Sequence, residues 1–276
     1  MIYIVLIIVQ ILAAGCLIKC SPIVNGIYQP TEPNEGEFPY HANIMHKLLK
    51  FSICGGSLIH PYWVLTAGHC FLESKSQTLF KPSEVNVGVG SIYTNCKGGQ
   101  ILDTERLIIH PQFTQANKND IGLIKLKISA QLGPTVKLIP LHTNNNENLV
   151  GKTVYLTGFG AINDMNVIPK RLRVAILHVD NYTGCFDNPP PNNSEICAAS
   201  SLSEGKACRG DSGGPLVFLK KKKYYQVGLT SHLALLPICR LKYNNSVHTR
   251  VSAYISWISS VTGVNFFRPK KQRNSS

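Results

Sequence analysis

The sequence predicts an all-β protein that ends in one helix. Short β-type runs recur along the chain and are bounded by Gly, Pro and Asn, which favour turns. No internal repeat and no long linker interrupts them. Many short strands with frequent turn signals indicate a β-sandwich or a β-barrel. Near the end of the chain the apolar pattern changes to the longer period of a helix.

The predicted strands extend from the first quarter of the chain to residue 230. They are Phe51–Ile59, Trp63–Thr66, Val85–Val89, Leu107–Ile109, Ile121–Lys127, Thr153–Leu156, Arg173–Val179, Pro215–Phe218 and Tyr224–Thr230. Asn144–Asn146, which follows Pro140, is expected to form a loop between two halves of the chain. Pro189–Pro191 marks a second loop.

The terminal helix is predicted from an apolar stripe with spacing i, i+3, i+4, i+7 and i+10. Such a stripe is typical of a helix that lies on a core, and Gly263 is expected to end it. The stripe consists of Val251, Tyr254, Ile255, Ile258 and Val261.

The first residues have the character of a signal peptide. From Ile2 to Ala14 only Tyr3 and Gln10 interrupt an apolar run, and small residues follow it. An uncleaved membrane anchor is the alternative, although Lys19 ends the run near the lower length limit for a span. Residues 12–16 also resemble a bacterial lipoprotein box. We favour a secreted protein without stable membrane insertion.

Cysteine content and glycosylation triplets are compatible with secretion. The 276 residues contain nine cysteines, which indicates disulfide bonds and at least one further thiol. The length suits one large domain or two small fused ones. Acceptor triplets for N-glycosylation begin at Asn181, Asn192, Asn244 and Asn274, so a glycoprotein is expected.

The formal net charge of +13 predicts attraction to anionic surfaces. Much of this charge lies in Lys220–Lys223 and in the tail Arg268–Arg273. Neither segment has the interleaved aromatic residues of a nucleic-acid platform, so no nucleic-acid partner is expected. For these two segments we favour the simpler interpretation, a solvated hairpin tip and a solvated tail.

Three motifs contain the residue types that acyl transfer requires. They are Leu65-Thr-Ala-Gly-His69-Cys70, Asn119-Asp120-Ile-Gly-Leu, and Cys208-Arg-Gly-Asp-Ser212-Gly-Gly-Pro215. Taken alone, a His beside a Cys or an Asp at a strand start is usually structural. The glycines on both sides of Ser212 are more specific, because they keep the hydroxyl exposed and let N–H groups converge on a substrate oxygen.

The three residue types have complementary roles. Ser212 is a nucleophile only if a base takes its proton, and His69 is the candidate base. Asp120 would hold the imidazole in the right tautomer. The N–H groups of Gly210 and Ser212 would form the oxyanion hole.

With Ile23-Val-Asn-Gly26, these motifs resemble the trypsin/chymotrypsin family of serine proteases from Ile23 to about Val261. The resemblance implies two six-stranded antiparallel β-barrels, a cleft between them and a C-terminal helix. It implies a monomeric serine endopeptidase that needs neither metal nor cofactor and acts on protein or peptide substrates. Protein inhibitors are further expected partners. A calcium site in the Asn95–Gln100 loop is not expected, because that loop lacks carboxylates.

The expected organisation has three parts. Residues 1–22 form a signal peptide with a short pro-segment, residues 23–262 form the peptidase domain with its barrel boundary near 140, and residues 263–276 form a basic tail. The resemblance also implies the disulfides Cys54–Cys70, Cys185–Cys197 and Cys208–Cys239. Cys16, Cys20 and Cys96 remain; a tether from Cys16 or Cys20 to Cys96 and an unpaired Cys96 are both open.

Activation departs from the family habit. In the family, a new N-terminus at the Ile-Val segment pairs with the Asp before the nucleophile, which here means Ile23 with Asp211. The residue before Ile23 is Pro22, after which a trypsin-like activator does not cut. Signal cleavage after Cys20, followed by removal of Ser21-Pro22 by an X-Pro dipeptidyl peptidase, would produce that terminus. A permanent zymogen is the alternative.

The substrate pocket also departs from the family. Lys206 stands where trypsins have Asp at the pocket base, so Lys and Arg substrates are disfavoured. Its ammonium would either attract acidic side chains or bend into solvent. A small apolar or acidic preference at P1, the residue before the cleaved bond, is therefore expected. The remaining pocket residues are Ser231, then His232-Leu233 in place of the usual Trp-Gly, and Ser246 where Gly is common.

Two rival functions stay open at this point. One is a catalytically silent, protease-like binding protein that uses its basic surface. The other is a membrane-anchored protease. The presence of His69, Asp120, Ser212 and Gly210 together favours the secreted enzyme.

Overall fold

The computed structural model describes residues 31–73, 76–163, 165–185, 190, 193–199, 205–235, 239 and 245–267. Its strands and its α-helix are β1 (His41–His46), β2 (Ser52–His60), β3 (Trp63–Thr66), β4 (Val85–Val89), β5 (Gln100–Ile109), β6 (Gly122–Leu126), β7 (Thr153–Gly158), β8 (Arg173–Val179), β9 (Glu195–Ala199), β10 (Pro215–Lys220), β11 (Lys223–Leu233), β12 (Ser246–Arg250) and α1 (Ile255–Thr262).

The strands form two closed antiparallel barrels of six strands each. The order is β1-β2-β3-β6-β5-β4 in the N-terminal barrel and β10-β11-β12-β9-β8-β7 in the C-terminal barrel. The prediction of two six-stranded barrels is thereby confirmed, and the sandwich alternative is excluded. Closure leaves neither barrel with a free edge strand.

Three strands were absent from the sequence prediction, and a fourth is longer than expected. β1, β9 and β12 were not predicted, and β5 begins at Gln100 instead of Leu107. In β1 the polar side chains of His41 and Asn43 are buried together with the apolar ones, so the burial of this strand does not follow its sequence pattern. β9 begins with Glu195, whose charged side chain is also buried.

Each barrel has its own apolar core, and a third cluster lies between them. The N-terminal core includes Ile44, Leu58 and Phe71, and the C-terminal core includes Leu156 and Leu216. Between the barrels, Leu65, Ile121, Leu123, Val217 and Leu229 pack with Ile255 and Ile258 of α1.

The terminal helix is confirmed. A 3₁₀ turn at Val251–Tyr254 leads into α1, whose Ile255 and Ile258 are buried. Gly263 follows α1 with φ +71°, and its N–H donates to the carbonyl of Ser259 at 2.9 Å. A glycine suits this left-handed position because it has no Cβ.

Disulfides join the three pairs that the resemblance implied: Cys54–Cys70, Cys185–Cys197 and Cys208–Cys239. Among the described cysteines, Cys96 is buried and forms no disulfide. The predictions for Cys16, Cys20, Ile23 and the triplets at Asn192, Asn244 and Asn274 lie outside the described residues. Asn181 is exposed, and the Thr183 hydroxyl donates to its side-chain oxygen at 2.6 Å. None of the helices among the described residues is long and apolar enough to cross a membrane.

Candidate active site

His69 is positioned by the 3₁₀ turn Gly68–Phe71, which follows β3. The next residue, Cys70, is bonded to Cys54 in β2, so the turn is attached to the barrel wall. A Cβ on Gly68 would lie 3.2 Å from the carbonyl oxygen of Ile121, so this glycine lets the turn approach the residue that precedes β6. The turn thereby places His69 against the end of a neighbouring strand.

Asp120 lies two residues before the start of β6, next to this turn, and is completely buried. Its Oδ1 accepts the backbone N–H of His69 at 2.9 Å, and its Oδ2 lies 2.7 Å from His69 Nδ1. The Ser231 hydroxyl also donates to Oδ2, at 2.5 Å. Thr249 donates to the backbone carbonyl of Asp120 at 2.7 Å and fixes the main chain as well.

The Asp120 carboxyl is charged at neutral pH. Burial raises its pKa, but the charge of His69 and the hydrogen bonds from His69 and Ser231 outweigh burial, so the pKa lies below its ordinary value. A carboxylate only accepts hydrogen bonds, so Nδ1 of His69 has the proton and Nε2 of the neutral ring is an open proton acceptor.

The main chain of Ser212 is attached to the strand that is disulfide-bonded to the His69 turn. Its carbonyl accepts the N–H of Gly55 at 2.8 Å, and Gly55 follows the cysteine that is bonded to Cys70. The next residue, Gly213, has φ +72°, and a Cβ there would lie 2.1 Å from Thr66 Oγ1. Among the described residues the Ser212 hydroxyl forms no hydrogen bond, so the structure joins His69 to Asp120 but not to Ser212.

Two backbone donors point to an oxyanion site. Gly210 has φ +92°, in the region that favours glycine, and the carbonyl of Arg209 accepts the N–H of Ala161 at 2.7 Å. Within the described part of the chain, the N–H groups of Gly210 and Ser212 donate to no other group. Both are available to an oxygen of a substrate.

Asp211 is buried among glycines. Its carboxylate accepts the N–H of Gly160 at 2.8 Å and the N–H of Cys208 at 2.9 Å. A Cβ on Gly160 would lie 2.4 Å from the carboxylate carbon, so a side chain does not fit there. Burial raises the pKa of Asp211 to about 6, although both N–H groups lower it. No cation among the described residues pairs with Asp211, and Ile23 lies outside them.

The predicted pocket residues differ in their burial and in the groups that they contact. Lys206 is 4% exposed, so the alternative in which it bends into solvent is wrong. Burial lowers the pKa of its ammonium. Ser231 directs its hydroxyl to Asp120 instead of to the pocket, and Leu233 packs against the cluster formed by the Cys208–Cys239 disulfide. Ser246 donates to the carbonyl of Ala198 at 3.3 Å.

His248 is a residue of this region that sequence reasoning missed. It is fully buried in β12, two residues beyond Ser246, and its Nε2 lies 2.8 Å from the Ser246 hydroxyl. Burial, with a contribution from His232, lowers its pKa to about 3, so it is neutral. It could have been found from the alternation of side chains along a strand, which puts residues 246 and 248 on the same face.

The cleft beside His69 has a volume of about 280 Å³. Three amide side chains contribute to its lining: Gln77, Gln115 and Asn117. The ligand atoms of Cys54, His69 and Cys70 lie within 4.8 Å of one another, but both sulfurs belong to a disulfide and are not thiolate ligands. This cluster is therefore not a metal site.

The family model Trypsin matches residues 27–258. The chain belongs to the trypsin family. It is a serine-type endopeptidase, as its relatives indicate. It is 36% identical to human chymotrypsin-like elastase family member 3A over 219 residues, which is 75% of this chain and 77% of the relative. It is 34% identical to human chymotrypsin-like elastase family member 3B over the same shares. Identity to the urokinase-type plasminogen activator of Gallus gallus is 31%, over 85% of this chain and 57% of the relative.

Proposed function

We propose that this trypsin-family endopeptidase is secreted and hydrolyses protein and peptide substrates through an acyl-enzyme on Ser212. The observation on which the proposal rests is the 2.7 Å contact between His69 Nδ1 and the buried carboxylate of Asp120. It leaves Nε2 of His69, a residue that lines the cleft, as the proton acceptor. Secretion rests on the apolar N-terminal segment, on the disulfides and on the relatives.

In the proposed reaction, Ser212 Oγ attacks the carbonyl carbon of the substrate while His69 Nε2 takes its proton. The C–N bond then breaks, and His69 returns the proton to the leaving amine. Water repeats these steps on the ester, which releases the acid and restores Ser212. Asp120 stabilises the His69 imidazolium in both halves and keeps its own charge.

The oxyanion of each tetrahedral intermediate would receive hydrogen bonds from Gly210 and Ser212. Neither N–H group has a partner among the described residues, which supports this role, and the pairing of Ile23 with Asp211 would fix their orientation. The loss of one such donor lowers the rate by about 10²–10³-fold in comparable sites.

The proposed chemistry is tested with a fluorophosphonate probe on the secreted protein. We expect covalent labelling that disappears in Ser212→Ala and persists in Ser260→Ala, which removes an exposed hydroxyl from α1. Labelling that survives Ser212→Ala would place the nucleophile elsewhere. A wild type that has Ile23 at its terminus and is not labelled would support the silent binding protein instead.

We also propose that the ammonium of Ile23 activates the enzyme by pairing with Asp211. A buried carboxylate with only N–H partners among the described residues is a site that an inserted cation would stabilise. Signal cleavage after Cys20 and removal of Ser21-Pro22 would create this terminus. N-terminal sequencing of active protein is expected to begin at Ile23, and any other first residue would refute this route.

For P1 we propose an acidic or small apolar side chain. Lys206 at the pocket base repels Lys and Arg, and its low exposure keeps its charge from being fully screened. Leu233, packed against the Cys208–Cys239 disulfide, would narrow the entrance to the pocket.

A peptide library tests this preference against Lys206→Met, which keeps an unbranched side chain as far as Cε but removes the charged ammonium. We expect the ratio of kcat/KM for P1 Glu over P1 Gln to fall by about 10–100-fold in the variant, the effect of losing one charged hydrogen bond. A wild-type profile that favours Lys, Arg or large aromatic residues would contradict the proposal.

Anionic surfaces and protein inhibitors are the further partners that we propose. The turn of the β10–β11 hairpin exposes Lys221 and Lys222, while Lys220 is paired with Glu147 at 2.8 Å. Retention on a heparin column that decreases when both exposed lysines are replaced by Ser would support the anionic partner. Unchanged retention would contradict it.

A further inference from the structure

A second imidazole is connected to Asp120 through Ser231. Ser231 Oγ lies 2.5 Å from Asp120 Oδ2, and His232 Nδ1 lies 3.1 Å from the same Oγ. The hydrogen-bonded chain therefore runs from His69 through Asp120 and Ser231 to His232. The family usually has Trp at this position, and its indole would not reproduce a ring nitrogen next to the hydroxyl.

The direction of each hydrogen bond in this chain is determined. A serine hydroxyl has one hydrogen, and Ser231 must give it to Asp120 because a carboxylate cannot donate. The remaining capacity of Ser231 Oγ is to accept, so His232 Nδ1 is the donor. His232 is then the Nδ1–H tautomer when it is neutral.

The surroundings of His232 keep it neutral in the working range of pH. Burial lowers its pKa below 6.5; Asp120 raises it, and His69 and Lys118 lower it further. On the neighbouring strand, His248 is neutral. His232 therefore acts above pH 6.5 as a neutral donor.

We propose that His232 is a positioning residue that polarises the Ser231 hydroxyl and so sets how strongly Asp120 holds the proton of His69. Hydrogen bonds in a chain strengthen one another in a medium of low dielectric constant. Donation from His232 makes Ser231 a better donor, and it draws negative charge on Asp120 away from His69. This inference rests on the proposed function, since it assumes that Asp120 and His69 act as described there.

Removal of this donor has a defined consequence. In His232→Leu, Ser231 donates less strongly, so Asp120 presents more negative charge to His69 and the His69 imidazolium is better stabilised. A higher pH is then needed to remove its proton. The acid limb of the rate–pH profile should move upward by about half a pH unit, as expected for a change of several tenths of a kcal/mol in one hydrogen bond.

The experiment measures the second-order rate of fluorophosphonate labelling from pH 5 to 9 in wild type, His232→Leu and His232→Asn. The small probe makes few contacts with the outer cleft, so a role of His232 in substrate binding would not move the limb. The side-chain amide of Asn can donate from nearly the same place as Nδ1. We expect the limb to shift in His232→Leu and to return to the wild-type position in His232→Asn.

The outcomes separate this inference from the proposed function. No Ser212-dependent labelling of wild type with Ile23 at its terminus would refute the proposed function. Labelling with the same acid limb in all three proteins would refute only the role of His232. Equal shifts in both variants would also refute it, because the hydrogen-bond donor would then be irrelevant. Thermal unfolding of each variant verifies that the compared proteins are folded.

Discussion

At the scale of single residues, the buried carboxylate of Asp211 makes stability depend on pH. Its pKa is raised from 3.8 to about 6, so the folded state binds this proton more tightly than the unfolded state. The stabilisation is complete below pH 4 and is lost as the pH rises to 6, with a magnitude of about 3 kcal/mol. We expect this loss in unfolding by urea at pH 4 to 6, for protein that still has Pro22.

The processed protein is the control for this prediction. Asp120 and Glu147 have lowered pKa values and contribute the opposite slope, but they contribute it in both forms. The difference between unprocessed and processed protein therefore reports Asp211 alone. With Ile23 as terminus, the ammonium should remove the loss above pH 4. Identical pH profiles for the two forms would show that Asp211 has no such partner.

We expect replacement of Asp120 to affect the catalytic rate more than the folded structure. In Asp120→Asn the amide can donate to His69 Nδ1, which moves the ring proton to Nε2 and blocks the acceptance of the Ser212 proton. We expect kcat to fall by about 10⁴-fold, as for this change in related sites. Asp103→Asn, which alters a half-exposed carboxylate paired with Lys47, is the matched control. A similar loss in both variants would contradict a specific role.

At the scale of elements, the end of α1 depends on one backbone conformation. Gly263 has φ +71°, and a Cβ there would meet nothing within 4 Å, so Gly263→Ala tests conformation without a clash. We expect a loss of about 1 kcal/mol in the free energy of unfolding. Gly133→Ala is the control, since it has the same open space without a positive φ. Equal effects of the two changes would rule out the left-handed requirement.

The elements that could be predicted from the sequence are those whose burial follows a simple period. β3 and β6 are mostly apolar and buried, and α1 has a clear stripe. In β1, His41 is buried because it lies at the interface between the barrels, where its Nδ1 lies 2.9 Å from Thr157 Oγ1. That contact joins residues 116 positions apart, so no local sequence pattern predicts it.

The candidate site also contains residues that local motifs predict and contacts that only the fold creates. His69, Asp120 and Ser212 were found because each lies in a distinctive local motif. The burial of Lys206 and the contact between Ser231 and Asp120, 111 residues apart, depend on how the chain closes its two barrels. His248 was missed because a histidine in an unrecognised strand has no motif of its own.

At the scale of the whole molecule, the site belongs to the interface between the barrels. His69 and Asp120 come from the N-terminal barrel, while Ser212 and Ser231 come from the C-terminal barrel. The hydrogen bond from Gly55 to the carbonyl of Ser212 crosses this interface. Any change in the relative position of the barrels would therefore alter the distance between nucleophile and base.

A second contact across the interface tests this dependence. The Ser57 hydroxyl donates to Gln226 Oε1 at 2.7 Å, and both residues are fully buried. Gln226→Leu leaves that hydroxyl without its acceptor, so we expect the free energy of unfolding to fall by about 1–3 kcal/mol. Because the two barrels lose a hydrogen bond that joins them, the position of Ser212 relative to His69 is less well fixed. We therefore also expect slower fluorophosphonate labelling of Ser212.

The double variant Ser57→Ala, Gln226→Leu separates the hydrogen bond from the effect of shape. It removes the stranded hydroxyl together with its partner, and so it should recover part of the stability that Gln226→Leu loses. Stability is measured by urea unfolding, and the labelling rate is measured on the same samples. Strictly additive losses would mean that the pair contributes no coupling across the interface. Recovery of stability without recovery of the labelling rate would mean that Gln226 positions the site through another contact, such as the bond from its Nε2 to the carbonyl of Gly228 at 3.2 Å, which both variants lack.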